Sequence, residues 1–491
     1  MEIYDNDEED RLYFEQQENT ASFAQMQRRT QASVLPKVVE AYMRSASEVS
    51  LHNPVPSAMS FYVLLGQLCK DMVAIPHGRR IDDTRIQFLW MQTSGTGKST
   101  LYDFFGPVSK LTFDLVNQKH GTQFDIFSVK DTTDAALVGS MGSEIQEEED
   151  ENGNMVRRQV AIQIDGALEG EGLAAYDEFE YSGVFKQSQH KENVVMYLNT
   201  FMNSLHGENW VITKKLKEGD TIECRCQRSL FATTYIPKTL TGVIAEKGVI
   251  QRCAIYIREV PQTIQDELRD AILEEVGTIR NRDLPITKFA NNFVKMYEVL
   301  KQHYEDNGED PLSTVKFGDG VIDALKNESW KMRNYVTNSR PEVFEIASNF
   351  ITRLNGTLIR MAVLSAIAEA PSITDKSKRF IVTERNVRQA SFLVRQCYQS
   401  LVSWLDMALK VQANGLKDRA NLAIFKKTYK QLRKGDDDWV NKTAMLDSVR
   451  KESRKGQATV YRWFNDLGDN FETKMIGRRA YVRFKEAEGN E

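Results

Sequence analysis

A chain of 491 residues, 41% apolar and 27% charged, has an ordinary globular composition with room for two or three domains and a large buried core. Its net charge of −5 excludes a polycation, so contact with nucleic acid has to come from local patches. Five cysteines with no C-x-x-C pair and six scattered histidines argue against a zinc knuckle, a redox motif or a metal site built by the protein alone. The apolar runs are far shorter than a membrane span, and Met1–Asp10 is acidic where a signal peptide is basic. A cytoplasmic location, with reduced thiols and no membrane contact, is expected.

Residues 1–30 are polar and rich in Gln, Asp and Glu, a composition that predicts a loosely held tail. Residues 31–80 turn helical. Pro36 opens one helix (Val38, Val39, Tyr42, Met43), and Met59–Leu68 supplies a second apolar stripe. Residues 81–262 read as an α/β core. Ile86–Met91 is a buried strand that breaks into a small-residue loop, Gln92–Gly97, before Lys98-Ser99-Thr100 opens a helix. Strand, glycine-bearing loop and helix in that order form the phosphate-binding loop of an NTPase. Ser94, Gly95, Thr96 and Gly97 would turn backbone N–H groups toward phosphates, and the helix N-terminus at Lys98–Thr100 adds partial positive charge. Lys98 is expected on the β- and γ-phosphates of ATP and Ser99 on Mg2+. Gln92 stands where the full pattern has glycine.

Thr132–Met141 predicts a helix capped by Asp131. The acidic run Glu147–Glu151, the turn pair Asn152-Gly153 and alternating Val156, Val160, Ile162 and Ile164 predict a hairpin with an acidic tip. A short strand then ends in Tyr176-Asp177-Glu178. Alternation turns the two carboxylates different ways, Asp177 toward Mg2+ and Glu178 toward the attacking water. A helix is expected over Asn193–Leu205. Two alternating runs around Glu218-Gly219-Asp220 predict a second hairpin carrying Lys214, Lys215 and Lys217, either a solvated edge or a grip on a phosphate backbone. Cys224 and Cys226 fall on one face of it. Arg228–Pro237 is a further core strand whose polar end, Thr233 and Thr234, suits a γ-phosphate sensor. Arg252 precedes another apolar strand.

Residues 263–411 are expected to be mostly helical, including Gln262–Val276, Thr287–His303, Pro341–Ile367 and Asn386–Met407. A linker at Gln412–Asp418 leads to residues 416–491. There, three helices and two short strands around Gly477-Arg478-Arg479 predict a winged helix-turn-helix, either a DNA-binding unit with Arg478 and Arg479 as contacts or a protein-docking module. This part holds 18 Lys and Arg against 12 Asp and Glu, a local excess of six positive charges in an acidic chain.

The order of these motifs resembles that of AAA+ ATPases with a pre-sensor β-hairpin, above all MCM-type replicative helicases, and is similar to the core of phage and plasmid primase–helicases. Three stretches carry the likeness. Gly166-Ala167-Leu168 with Gly172–Phe179 looks like the Walker B stretch, Thr352-Arg353-Leu354 with Leu358–Ala362 like the lid helix bearing the sensor-2 arginine, and Phe380–Ala390 like the lid helix after it. The resemblance covers about residues 75–400 and, more loosely, the C-terminal domain. It implies an AAA+ core with a helical lid, N-terminal helices and a C-terminal winged helix. It also implies that Arg252 is a finger acting on the neighbouring subunit's ATP, that Arg353 is sensor 2, and that the lysine hairpin grips DNA. The chain departs from the family in lacking Phe-Asp after Arg252 and in placing Thr234 or Tyr235 where the family has the sensor-1 asparagine. The function so implied is a homo-oligomeric, hexameric ring helicase of a phage or mobile element, acting on single-stranded or forked DNA beside other replication proteins, in the host cytoplasm if viral. An ATP-switched initiator or helicase loader is the alternative. A packaging motor is disfavoured because no nuclease-like acidic constellation follows the ATPase.

Overall fold

The computed structural model describes residues 35–50, 53–128, 134–149, 155–176, 179, 192–207, 209–215, 221–236, 248, 250–274, 276, 283–433, 439–453, 455–477 and 479–485. The chain forms two compact units, Met1–Leu405 and Asp406–Glu491.

In the first unit, α1 (Lys37–Ser50) follows Pro36, whose carbonyl accepts from the N–H groups of Val39 and Glu40. The fixed φ of proline preorganises such a first turn. α2 (Pro54–Leu68) is buried on every side from Val55 onward, as expected of a core helix. The rings of Tyr42, Phe61, Phe104, Phe289 and Phe293 meet beside it, with centroids 4.7 to 6.1 Å apart. A small antiparallel ribbon, β1 (Ile75–His77) with β2 (Arg80–Asp82), leads into the central sheet.

That sheet contains β3 (Phe88–Gln92), β4 (Phe124–Ser128), β7 (Gly170–Tyr176), β9 (Thr221–Thr234) and β10 (Ala254–Arg258), all parallel, in the spatial order β10-β3-β9-β7-β4. β3 is apolar and fully buried, as a strand covered on both faces must be. From β3 the chain runs through α3 (Lys98–His120) to β4 at the far edge, returns through β7 to β9 beside β3, and only then places β10 on the other flank. The connections leaving β3 and β9 therefore diverge. This is the topological switch point, where open α/β sheets form a crevice at the carboxyl ends of their strands.

Two hairpins project from the opposite, amino edge. α4 (Asp134–Val138) gives way at Gly139 to β5 (Gly139–Glu149), paired along its whole length with β6 (Met155–Asp165). The expected helix thus ends three residues early. Glu147, Glu148 and Glu149 belong to the strand rather than to the turn, because the antiparallel ladder satisfies their backbone groups. After α5 (Glu192–Phe201), β8 (Val211–Lys215) pairs antiparallel with the first residues of β9. The hairpin strand and the core strand are one 14-residue element, not two. The hairpins touch, the base of the first against the loop end of the second: Lys214 Nζ donates to Gly139 O at 3.5 Å and Gln163 Nε2 to Glu223 O at 3.2 Å.

The remainder of the unit is helical: α6 (Gln262–Glu274), α7 (Asp283–Asp306), α8 (Val321–Ser339), α9 (Phe344–Glu369) and α10 (Glu384–Leu432). The expected helix over Phe380–Ala390 begins only at Glu384. Ile381–Val382 is β12, paired with β11 (Lys316–Phe317), and Phe380 sits at φ +58°. α9 is tied to the sheet through Arg360, which donates to Asp83 O (2.9 Å) and pairs with Asp82 (3.0 Å), and to α2 through Tyr62 OH and Ser365 Oγ (2.8 Å). Although only short apolar runs were expected, Pro341–Ser372 passes the length and composition test for a membrane span. Of its apolar window 67% is buried inside the protein, as in a core helix.

The expected linker at Gln412–Asp418 is helical, because α10 continues through it to Leu432. In the second unit β13 (Val440–Asn441), α11 (Lys442–Ser453), α12 (Gln457–Asp466), β14 (Phe471–Ile476) and β15 (Arg479–Phe484) follow, with sheet order β13-β15-β14. Phe425, Met445, Val449, Val460, Phe464, Phe471 and Val482 make its separate core.

Candidate functional site

The Gln92–Gly97 loop leaves β3 at the carboxyl edge of the switch point, beside Thr234, which is paired with Met91 on the neighbouring strand. Gly95 and Gly97 take φ +71° and +85°, the left-handed region that side-chain-bearing residues avoid. Gly97 ends the loop and α3 begins at Lys98. Tyr102 OH, in the first turns of α3, donates to Tyr176 O (2.9 Å) and Phe231 O (3.0 Å), which ties the start of the helix to the ends of β7 and β9.

Lys98 is buried. Its Nζ donates to Gln92 O (2.8 Å) and Thr93 O (3.0 Å) and lies 5.0 Å from the centre of the Tyr235 ring. Ser94, Gly95, Ser99 and Thr100 are exposed, and Thr100 Oγ1 donates back to Gly97 O at 2.8 Å. The Gln92 side chain enters a fully buried network. Its Oε1 accepts from Trp90 Nε1 (2.9 Å). Its Nε2 faces Asn53 Oδ1 (3.0 Å), Thr96 O (3.0 Å) and Thr96 Oγ1 (2.7 Å). Asn53 Nδ2 also donates to Thr96 O (3.1 Å), and Thr96 Oγ1 donates to Thr93 O (2.6 Å). Nothing in the sequence marked Asn53, which stands at the N-cap of α2 but whose side chain makes no cap hydrogen bond.

The hydroxyl of Thr234 is buried and has no hydrogen-bond partner among the described residues, as is the case for that of Tyr176. Burial pushes the Tyr176 hydroxyl well above its ordinary range, against an opposing pull from Arg228. Orphaned buried hydroxyls are rare and call for a partner. Glycines at positive φ, a buried cation at a helix start and an orphan hydroxyl on the adjacent strand fit the phosphates of a nucleotide. Asp177 and Glu178, which follow Tyr176, lie outside the described residues.

A second cluster forms at the amino edge. Arg252, two residues before β10, donates to Asn199 Oδ1 (2.7 Å) and Gly248 O (3.1 Å). Gly248 takes φ +74°, a conformation that side-chain-bearing residues avoid. Burial, and then the positive charge of Arg353 on α9, push Arg252 below its ordinary value. The two candidate arginines are thus brought together. Ala254 is level with Phe88 at the start of β3, so about 16 Å of strand separates Arg252 from its own chain's loop.

Lys214 is half-buried and Lys215 exposed on β8, also at the amino edge; Lys217 lies outside the described residues. In the second unit Arg479 is exposed at the start of β15, beside exposed Met475 and Ile476, and Arg478 lies outside the described residues. Gln457, Tyr461, Arg462 and Asn465 form an exposed face of α12. Cys224 and Cys226 share one strand face with sulfurs 3.6 Å apart; their mutual hydrogen bond and burial push the Cys224 thiol up, so it stays protonated and unreactive. Among the described residues no cluster of His, Cys, Asp or Glu could hold a metal ion. The chain matches no protein-family model, and no curated protein is significantly similar to it.

Proposed function

We propose that the chain is an ATPase of the AAA+ type that drives movement along DNA as a ring. The observation that carries this reading is the convergence, at the switch point of a parallel sheet, of a positive-φ glycine loop, a buried lysine at a helix start and the orphaned hydroxyl of Thr234. Ser94–Gly97 would cradle the phosphates, and Lys98, leaving the carbonyls of Gln92 and Thr93, would offset charge on the β- and γ-phosphates. Ser99 and Asp177 would hold Mg2+, which supplies further neutralisation of the phosphates when bound. Glu178 would take the proton of the attacking water, and Thr234 would meet the γ-phosphate.

Arg252 and Arg353 sit across the sheet from this loop, a placement that favours action on a neighbouring subunit's nucleotide and hence a homo-oligomer. Lys214 and Lys215 lie at the same amino edge, where they, with Lys217, could grip a nucleic-acid backbone without disturbing the phosphates. A replication initiator or helicase loader is the second reading. It is favoured by the exposed Gln457, Tyr461, Arg462 and Asn465 on α12, side chains suited to reading base edges. Hydrolysis of ATP by the full chain is the test. Lys98→Ala should lower turnover by at least roughly 100-fold while the melting temperature moves little; unchanged turnover would overturn the ATPase assignment.

A further inference from the structure

We infer that Asn53 and Gln92 act together as a positioning pair that sets the Gln92–Gly97 loop for phosphate. The inference rests on the nucleotide reading of that loop and adds Asn53 to the residues that serve it.

Three loop carbonyls are turned inward. Thr96 O accepts from both Asn53 Nδ2 (3.1 Å) and Gln92 Nε2 (3.0 Å), Thr93 O accepts from Thr96 Oγ1 (2.6 Å), and Gln92 O accepts from Lys98 Nζ (2.8 Å). Among the described residues no peptide bond is cis. In a trans peptide the C=O of one residue and the N–H of the next point opposite ways, so carbonyls held inward aim the N–H groups of Ser94 and Gly97 outward. Such outward N–H groups are what makes a loop an anion-binding nest. Trp90 Nε1, on Gln92 Oε1 at 2.9 Å, fixes which end of the Gln92 amide donates.

Lys98 also holds the carbonyls of Gln92 and Thr93, but that hold is lost once the lysine turns to a phosphate. The Asn53–Gln92–Thr96 network contains no group that must leave. It therefore keeps the Thr96 and Thr93 carbonyls inward in both conditions. Glycine at position 92 would free the backbone there; glutamine instead locks it, provided that Asn53, at the start of α2, accepts its amide. All three side chains are at most 2% exposed, so water cannot replace a lost partner.

The test measures the affinity of the full chain for a fluorescent ADP analogue, with the melting temperature recorded without nucleotide. Asn53→Ala removes the hydrogen bonds to Gln92 and Thr96 and should weaken binding by about 10- to 30-fold. The KM for ATP should rise by a similar factor while kcat stays within about threefold, since the reacting groups are untouched. Asn53→Asp keeps the acceptor for Gln92 but sets an oxygen against Thr96 O; it should weaken binding at least as much and serves if the alanine variant does not fold. Wild-type binding with variants within about twofold of it, even with a lowered melting temperature, would make Asn53 merely structural and overturn the inference alone. A wild-type chain that binds no ADP analogue would overturn the nucleotide reading as well.

Discussion

Replacing Asp83 tests how the approach to β3 is pinned to β9. Asp83 and Arg85 are each 2% exposed, just before β3. Asp83 Oδ1 accepts from Arg85 N (2.8 Å) and Nε (3.2 Å), and Oδ2 accepts from Arg85 Nη2 (3.0 Å) and Leu205 N (2.8 Å). Arg85 also reaches the carbonyls of Cys226 (3.3 Å), Arg228 (3.2 Å) and Asn203 (2.5 Å), pinning the approach to β3 against β9. Asp83→Ala leaves that guanidinium buried with carbonyls alone, a loss of about 3–5 kcal/mol. Unfolding entropy near 2.1 cal/mol/K per residue, taken over the roughly 400 residues of the first unit, converts this to about 4–6 °C in melting temperature. The double variant Asp83→Ala/Arg85→Met, which removes both charges, should recover most of the loss. Burial raises the Asp83 pKa, but Arg85, Arg360 and the hydrogen bonds from Arg85 and Leu205 outweigh it, so the net shift is downward. A depressed carboxylate stabilises fully above its unfolded value, near 3.9, and loses that contribution as pH falls through the folded value. The gap between wild type and Asp83→Ala should therefore be constant at neutral pH and close below about pH 4. Thermal melts between pH 3 and 8 read both effects. A melting temperature within about 1 °C of wild type at pH 7 would refute the reasoning.

Two further predictions concern catalysis. Glu178→Gln should keep ATP affinity and lose hydrolysis by orders of magnitude, read by nucleotide binding and phosphate release on the same sample; normal turnover would remove Glu178 as the base. Arg252→Ala should be nearly inactive alone but recover partial ATPase activity when mixed with Lys98→Ala, because mixed assemblies contain interfaces with an intact loop and an intact arginine. No recovery in proteins shown to co-assemble would exclude action in trans.

The switch-point loop was legible in the residues because strand, glycines, lysine and helix start are contiguous, and local order fixes local geometry. The hairpin strands were legible in their alternation; the turn pair Asn152-Gly153 lies outside the described residues. What escaped depended on distance along the chain. Asn53 lies 39 residues from Gln92 and joins it only through the packing of α2. The pairing of β11 with β12, which delays α10 to Glu384, joins segments more than sixty residues apart. The expected linker at Gln412–Asp418 was read from Gln, Asn, Gly and Lys, yet one glycine costs a helix only about 1 kcal/mol, which the flanking turns of α10 outweigh. Likewise the opposition of Arg252 to the loop follows from strand register, which a linear reading does not contain.

Strand separation of a forked duplex by the full chain with Mg2+ and ATP tests the central claim most directly. The reading of an ATP-driven ring moving along DNA predicts ATP-dependent unwinding that Lys98→Ala abolishes. Replacing Lys214, Lys215 and Lys217 together by alanine should cut unwinding sharply while basal ATPase activity persists. It should also flatten the slope of log affinity against log salt by roughly 0.7 for each single-strand phosphate that a lysine no longer neutralises. Unwinding by the triple-alanine protein at the wild-type rate, or none by the wild type under conditions where it hydrolyses ATP, would contradict it.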